Sequence, residues 1–217
     1  MKIAVLGTGT VGDAIASKLI SLGHQVMMGS RTKNNEKALA WCDKSGENAS
    51  QGTFAEAAQS GLIIFNCTKG SNTLDALRLA GSENLKGKIL IDISNPLDFS
   101  KGMPPTLSIV NDNSLGEEIQ KLFPETKVVK TLNTLNGQLM VNPQLVNGGD
   151  HTIFMSGNSA EAKLDVGLLL QSFGWKGENI IDVGDITTAR GTEQLLPLWI
   201  RLYGAFGNAM FQFKVVK

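Results

Sequence analysis

The tightest constraint on how this chain can fold lies in residues 2–31, KIAVLGTGTVGDAIASKLISLGHQVMMGSR. Ile3 to Leu6 is a short apolar run, the pattern of a strand buried on both faces. Gly7, Gly9 and Gly12 follow at G-x-G-x-x-G spacing, and a helical pattern (Ala14, Ile15, Leu19, Ile20, Leu22) begins inside them. Gly23 stands where a helix C′ residue is expected, and Gln25 to Gly29 reads as the returning strand. In that setting Gly7 permits a tight turn, Gly9 removes a side chain where a pyrophosphate must approach, and Gly12 lets helix pack on strand. The helix N-terminus offers unpaired N–H groups and a positive dipole end to phosphate. Strand, glycine turn, helix and strand together read as a dinucleotide-binding unit; the alternative is a turn ahead of a packing helix.

The end of the second strand chooses between dinucleotides. An NAD site usually places Asp or Glu there to accept hydrogen bonds from the ribose hydroxyls. This chain has Gly29-Ser30-Arg31-Thr32-Lys33 and no acid until Glu36. A carboxylate would repel a 2′-phosphate, whereas Arg31 can grip it bidentately and Ser30 can donate a hydroxyl. Lys33 either adds charge or is a solvated loop lysine. The expected cofactor is NADP(H), with no metal. The alternative role for Arg31, stacking on adenine, still implies a nucleotide.

A chain of 217 residues holds one large α/β domain, or a main domain with a small appendage. Its 20 basic and 20 acidic residues balance, so charge points to no nucleic-acid or anionic-membrane partner. Cys42 and Cys67, the only cysteines, form no metal or redox motif and read as small buried hydrophobes. No uncharged apolar run approaches the ~20 residues of a membrane helix, and a strand at residue 2 leaves no room for a leader. The expectation is a soluble, cytoplasmic protein.

Further along, Asn35–Ser45 is helical in pattern, residues 45–52 are polar and loop-like, and Thr53 is a candidate N-cap over Glu56 for a helix to Ser60. Leu62–Cys67 is a buried strand. Loops that leave strand C-termini line the ligand crevice of a doubly wound sheet, which puts Cys67, Thr68 and Lys69 beside a nucleotide. Strand Lys88–Ile93 exits through Ser94-Asn95-Pro96, carrying Asn95 and Pro96 to the same edge; Asp92 within it is read as structural. Residues 98–108 are irregular, a candidate lid. After a helix at Ser114–Phe123, strand Lys127–Leu132 delivers Asn133 and Asn136, neutral amides able to bond a carboxamide or a flavin-like ring edge. His151–Ser156 is another strand, and Asn158 with Glu161 makes a capping box for a helix to Phe173. Asn179–Val183 is a short strand or an extended connection. Thr187–Phe213 reads as one helix, apolar nearly all round and kinked at Pro197, which packs in a core or a subunit interface. The fold expected is α/β: a Rossmann-type, doubly wound, mostly parallel sheet over residues 1–157, with a small C-terminal helical region at 158–217.

The opening GTGTVG with GSR, the strand-end KTLNT and the tail DVGDITTARGTEQLLPLW together resemble the coenzyme F420-dependent NADP oxidoreductase family, whose fold is shared by the reductase domain of the STEAP metalloreductases. The resemblance spans essentially the whole chain. It implies that Thr8, Thr10 and Val11 line the pyrophosphate, that Ser30 and Arg31 hold the 2′-phosphate, and that the loops at Thr68, Asn95 and Asn133 surround the nicotinamide. It also implies a homodimer built partly on the terminal helix. Members that use deazaflavin carry His in place of Asn133 and an Ile-Pro pair in place of Leu135-Asn136, so F420, a flavin and another diffusible acceptor all stay open. Hydride transfer between stacked rings needs position and electrostatics rather than a side-chain acid. Neither His24, His151 nor the lone Tyr203 stands where a base is needed. The function expected is an NADP(H)-dependent oxidoreductase passing hydride between NADPH and a flavin- or deazaflavin-type coenzyme or other diffusible acceptor. The rivals are a non-enzymatic NADP(H)-binding sensor module and a dehydrogenase of a small carbonyl substrate.

Overall fold

A strand that is apolar on both faces is covered on both sides, and three segments of this chain have that character at all but one terminal residue. They form β1 (Lys2–Leu6), β4 (Ile63–Asn66) and β5 (Ile89–Asp92), adjacent at the centre of an eight-stranded sheet. The structure, a computed structural model, describes residues 1–217. Between β1 and β4 come α1 (Thr10–Ser21), β2 (Gln25–Ser30), α2 (Glu36–Ser45), β3 (Ala49–Thr53) and α3 (Phe54–Ser60). Then α4 (Thr73–Ala80) and a one-turn α5 (Ser82–Leu85) lead to β5. The minimal hairpin of β6 (Leu97–Asp98) and β7 (Thr106–Leu107) precedes α6 (Leu115–Leu122), β8 (Lys127–Thr131) and α7 (Gly137–Val141). The chain ends with β9 (Ile153–Gly157), α8 (Ala160–Ser172), β10 (Ile180–Gly184), α9 (Ala189–Gln194) and α10 (Leu196–Phe206).

Strand order is β10-β9-β8-β5-β4-β1-β2-β3, parallel throughout except for the antiparallel β8–β9 pair. The sheet is doubly wound, with its switch point between β1 and β4. Successive side chains go to opposite faces. Thus Ile3, Val5 and Phe65 pack with Ile15, Leu19, Trp41 and Phe173 on one side, while Ala4, Leu6 and Ile64 meet Phe54, Leu77, Leu85 and Ile119 on the other. No helix is long and apolar enough to cross a membrane.

Several local expectations hold at the level of atoms. Asn35 caps α2 by accepting from Lys37 and Ala38 N–H, and Thr53 with Glu56 makes the full capping box on α3. Others are corrected. The loop-like stretch at 45–52 contains most of β3, an edge strand whose solvent side has no reason to be apolar, which is why ASQGT shows no pattern. The cap of α8 is Ser159, accepting from Ala162 N–H, one residue past the expected Asn158; Asn158 Oδ1 instead takes the Ile186 N–H. Of the two readings of Asn179–Val183 the strand holds, as β10 at Ile180–Gly184, because β9 offers it an edge. The single terminal helix is two: Pro197 sits in the first turn of α10, where its missing N–H costs nothing, and Gly207 in the left-handed region (φ 68°) ends it. Beyond Gly207 the chain runs without regular structure back to Thr152, whose N–H donates to the Phe213 carbonyl.

One feature of the core carries no apolar signal. Lys130 on β8 is wholly buried, its Nζ 2.7 Å from Asp92 Oδ2, 2.7 Å from Glu193 Oε1 and 2.6 Å from the Ser94 carbonyl. Burial alone would lower its pKa; the flanking carboxylates outweigh that and hold the ammonium above its ordinary value. Lys130→Met leaves two carboxylates buried without their cation and is expected to lower stability by about 3–5 kcal/mol, read from urea unfolding. A loss below about 1 kcal/mol would show that the triad is solvated rather than buried.

Candidate active site

A crevice opens where the strand order reverses, over the C-terminal ends of β1, β4, β5 and β8, as the topology requires. Its floor begins with the three glycines, and they differ in what forbids a side chain. A Cβ on Gly12 would lie 2.1 Å from the Gly7 carbonyl, and one on Gly7 (φ 118°) 2.7 Å from the Cys67 carbonyl, so both are required by packing. A Cβ on Gly9 would meet nothing within 4 Å, and its backbone is ordinary extended chain. Gly9 therefore serves no contact within the chain and leaves room over α1, whose N-terminus has no side-chain cap and keeps its N–H groups free.

The crevice has two lobes that share Cys67 and Thr68. The larger, about 640 Å³, runs from Gly7, Thr8 and Gly9 past Ser30, Arg31 and Thr32 and is flanked by Lys69. The smaller, about 170 Å³, is walled by Val11, Asn95, Asn133, Leu135, Met140 and Trp199, among others. Of the residues singled out from sequence, most meet here. Arg31 stands exposed at the lip and enters none of the chain's ion pairs. Ser30 lines the larger lobe and is buried, its hydroxyl donating 2.5 Å to the Thr32 carbonyl, so in this arrangement it braces the turn that presents Arg31. Lys69 lines the larger lobe, its Nζ 5.1 Å over the Phe99 ring.

Four others stand apart. Lys33 turns to Glu56 at 3.1 Å and lines neither lobe. Pro96 is buried beneath the rim, its carbonyl taking the Ser108 N–H. Thr10 borders a neighbouring hollow with Asp13 and Lys44. Asn136, expected at the edge, instead caps α7 by accepting from Gln138 and Leu139 N–H, while its amide donates to the Ala209 carbonyl.

In the smaller lobe the geometry is set by paired amides. Asn95 Nδ2 donates to the Asn133 carbonyl at 2.8 Å; Asn133 Nδ2 donates to Asn95 Oδ1 at 2.9 Å and to the Thr192 carbonyl at 3.2 Å. Both amide protons of Asn133 are thereby used, leaving its Oδ1 as an acceptor with no partner in the chain. Thr68 Oγ1 bonds Asn66 Oδ1 at 2.6 Å, and Asn66 Nδ2 bonds Asp92 at 2.7 Å, so this wall is continuous with the buried triad. Burial, then the nearby Asp92 charge, push the Cys67 thiol far up, and it stays protonated. No carboxylic acid, histidine, lysine or tyrosine lines the smaller lobe. Sequence reading passed over Trp199, Met140 and Leu196 in this lobe and Glu193 behind it. Only the Leu-Leu-Pro-Leu-Trp run marked any of them, and it read as generic core or interface.

The model of the family NADP oxidoreductase, coenzyme F420-dependent, matches residues 2–96. A solved structure from Arthrobacter sp. FB24, provisionally named an F420-dependent NADP-reductase, is 53% identical, covers both chains completely and superposes with a TM-score of 0.94. A reductive aminase from Aspergillus terreus, solved with NADPH and ethyl-5-oxohexanoate, shares the fold at 18% identity, over 95% of this chain and 62% of its own, with a TM-score of 0.68. The metalloreductase STEAP3 of Rattus norvegicus is 28% identical over 204 residues, 91% of this chain and only 38% of its own length. Full-length identity of this order, on the sheet and the glycine cradle described above, makes the chain a member of the coenzyme F420-dependent NADP oxidoreductase family, whose members are NADP-dependent oxidoreductases.

Proposed function

We propose that the larger lobe binds NADP(H) and that the chain passes hydride between NADPH and a flavin- or deazaflavin-type coenzyme at the smaller lobe. The observation that carries the NADP(H) assignment is Arg31, an exposed guanidinium without a partner at the end of β2, where a carboxylate would mark NAD. The open space over Gly9 and the uncapped N-terminus of α1 suit a pyrophosphate beside Thr8 and Val11. Asn133 Oδ1, without a partner in the chain, would accept a carboxamide N–H and so orient a nicotinamide ring. Asn95 locks Asn133 from the other side. Bound NADPH supplies a hydride, with two electrons, to the acceptor ring, and the further proton the acceptor takes up comes from water.

The acceptor class follows from what the smaller lobe lacks. Reducing a small carbonyl needs an acid beside the oxygen that becomes a hydroxyl, and none lines the lobe. A flat conjugated ring needs only apolar walls and amide contacts, which Val11, Leu135, Met140 and the two asparagines supply. The same reading makes the protein a cytoplasmic homodimer: Cys42 and Cys67 are unpaired thiols, and α10 exposes Leu198, Tyr203 and Phe206.

Arg31→Ala removes a charge-assisted contact worth about 1.5–3 kcal/mol. The KM for NADPH is expected to rise about tenfold to a hundredfold while that for NADH barely moves. Equal effects on both would sink the 2′-phosphate role. The glycines give a separate check. Gly9→Ala is expected to keep the melting temperature within about 2 °C yet weaken NADPH binding at least about tenfold, whereas Gly12→Ala forces α1 off the sheet and lowers stability by more than about 2 kcal/mol. A Gly9→Ala protein that binds NADPH normally would remove the pyrophosphate from that spot. If the wild-type protein binds NADPH but oxidises it with neither FMN, riboflavin nor F420, the sensor-module reading takes over.

A further inference from the structure

We propose that Trp199 on α10 is the platform on which the flat ring of the acceptor stacks, and that Phe211 holds this place when the acceptor is absent. The inference rests on the reading of the smaller lobe as the hydride-transfer site and specifies its acceptor half.

Space is the first argument. Hydride transfer requires two rings in contact, with reacting atoms about 3–3.5 Å apart. The smaller lobe, at about 170 Å³, holds roughly five or six waters at ~30 Å³ each. That is room for one substituted six-membered ring, not for a nicotinamide with a second ring system stacked on it. The lobe is open to solvent, so the acceptor enters across its mouth, and a wall that yields there would give it room.

Most of the wall cannot yield. Asn95 and Asn133 are bonded to each other and to the Thr192 carbonyl, beside the buried Lys130 triad. The wall at Trp199 differs. Its indole stacks with Tyr203 on α10 itself (5.8 Å, interplanar 5°) and with Phe211 (5.2 Å, 27°). Phe211, packed edge-on to Phe206 at 5.3 Å, belongs to the irregular segment after Gly207. That segment is anchored further on, where Gln212 Nε2 and Val215 N–H bond Thr152 at 3.1 and 3.0 Å. Between Gly207 and this anchor, the hydrogen bonds to the rest of the protein are the Asn136 amide on the Ala209 carbonyl and Met210 Sδ, and the Asn208 amide on the Phe206 carbonyl. Residues 208–211 can swing without unfolding a helix or a strand.

Chemistry is the second argument. Trp199 Nε1–H is shielded from solvent and has no acceptor in the chain, a state that buried polar groups rarely tolerate. That N–H points outward in the plane of the indole, beyond the reach of a ring resting on its face; a polar chain carried by such a ring and passing the indole edge would satisfy it. Phe211 is itself a flat ring stacked on the indole at 27°, and so covers a face of Trp199 that a ring ligand could use. The ligand class this selects is a planar, conjugated, multi-ring hydride acceptor that carries a polar chain, rather than an aliphatic carbonyl or a metal chelate.

The test is steady-state kinetics with FMN and with F420 at saturating NADPH, alongside calorimetric NADPH binding. Trp199→Leu is expected to raise the acceptor KM about tenfold or more. Trp199→Phe, which keeps a ring and loses the N–H, raises it a few-fold, and Phe211→Ala lowers it, while the Kd for NADPH stays within about twofold in all three. An unchanged acceptor KM in Trp199→Leu, or a rise in Phe211→Ala that matches it, overturns the proposal. Failure of the wild-type protein to reduce any acceptor would instead break the hydride-transfer reading, and binding alone then decides the subsite. Trp41 and Trp175 are only 1% and 2% exposed. Saturable quenching of indole fluorescence by riboflavin that vanishes in Trp199→Phe upholds the platform; quenching that survives in Trp199→Phe overturns it.

Discussion

The buried ammonium of Lys130 is the interaction on which the rest of the active end depends. It draws together Asp92 of β5 and Glu193 of α9, two carboxylates sharing one cation with no solvent to screen them. The surplus negative charge is met by hydrogen bonds. Asp92 Oδ1 accepts from Asn66, from Ser94 N–H and from Ser94 Oγ, and Glu193 accepts the Leu115 and Gly116 N–H groups at the start of α6. Such a cluster gains little stability over an apolar one, but it allows a single arrangement, because any slip strands a charge. Thr192, next to Glu193, accepts from Asn133; Asn66 orders Thr68. The C-terminal helices and the crevice wall are therefore held in one register by one network.

Around that rigid wall the crevice is built from contrasts. Gly12 and Gly7 have no side chain because backbone stands where one would go, and Gly9 has none although nothing does. Ser30 and Arg31 are neighbours with opposite fates: the hydroxyl turns inward to hold its own loop, and the guanidinium is left for solvent or ligand. On the far side, the rigid amide pair faces an aromatic stack whose outer ring belongs to an irregular segment. Ground held fixed where a nicotinamide would be oriented, beside a stack on an irregular segment, suits the proposed transfer between two rings.

The short-range features were legible in the sequence because a few neighbouring residues cause them. The β1–α1–β2 unit, the Asn35 cap, the Thr53–Glu56 box and the Arg31 signature each lie within one element and its flanks, where spacing alone carries the physics. What escaped depended on partners distant in the chain. Strand β3 is polar because it is an edge, which is a fact about the sheet and not about ASQGT. Asn136 looked like a ligand contact because it follows a strand, and became a helix cap once α7 turned there. Lys130 and Glu193 carry no sign of their pairing in the sequence, since nothing near either one announces the other.

By itself, then, the sequence determined the dinucleotide half of this protein: a glycine turn ahead of an uncapped helix and a cation in place of an acid at β2, both local consequences of backbone geometry and charge. Only the tertiary structure decided the other half. Whether Asn133 or Asn136 faces the crevice, where Trp199 sits, and what Phe211 covers all follow from α9 being drawn onto Lys130 and from the last residues returning to Thr152. Those are contacts between segments far apart in the chain, and their energy depends on burial and pairing that no single stretch of residues contains.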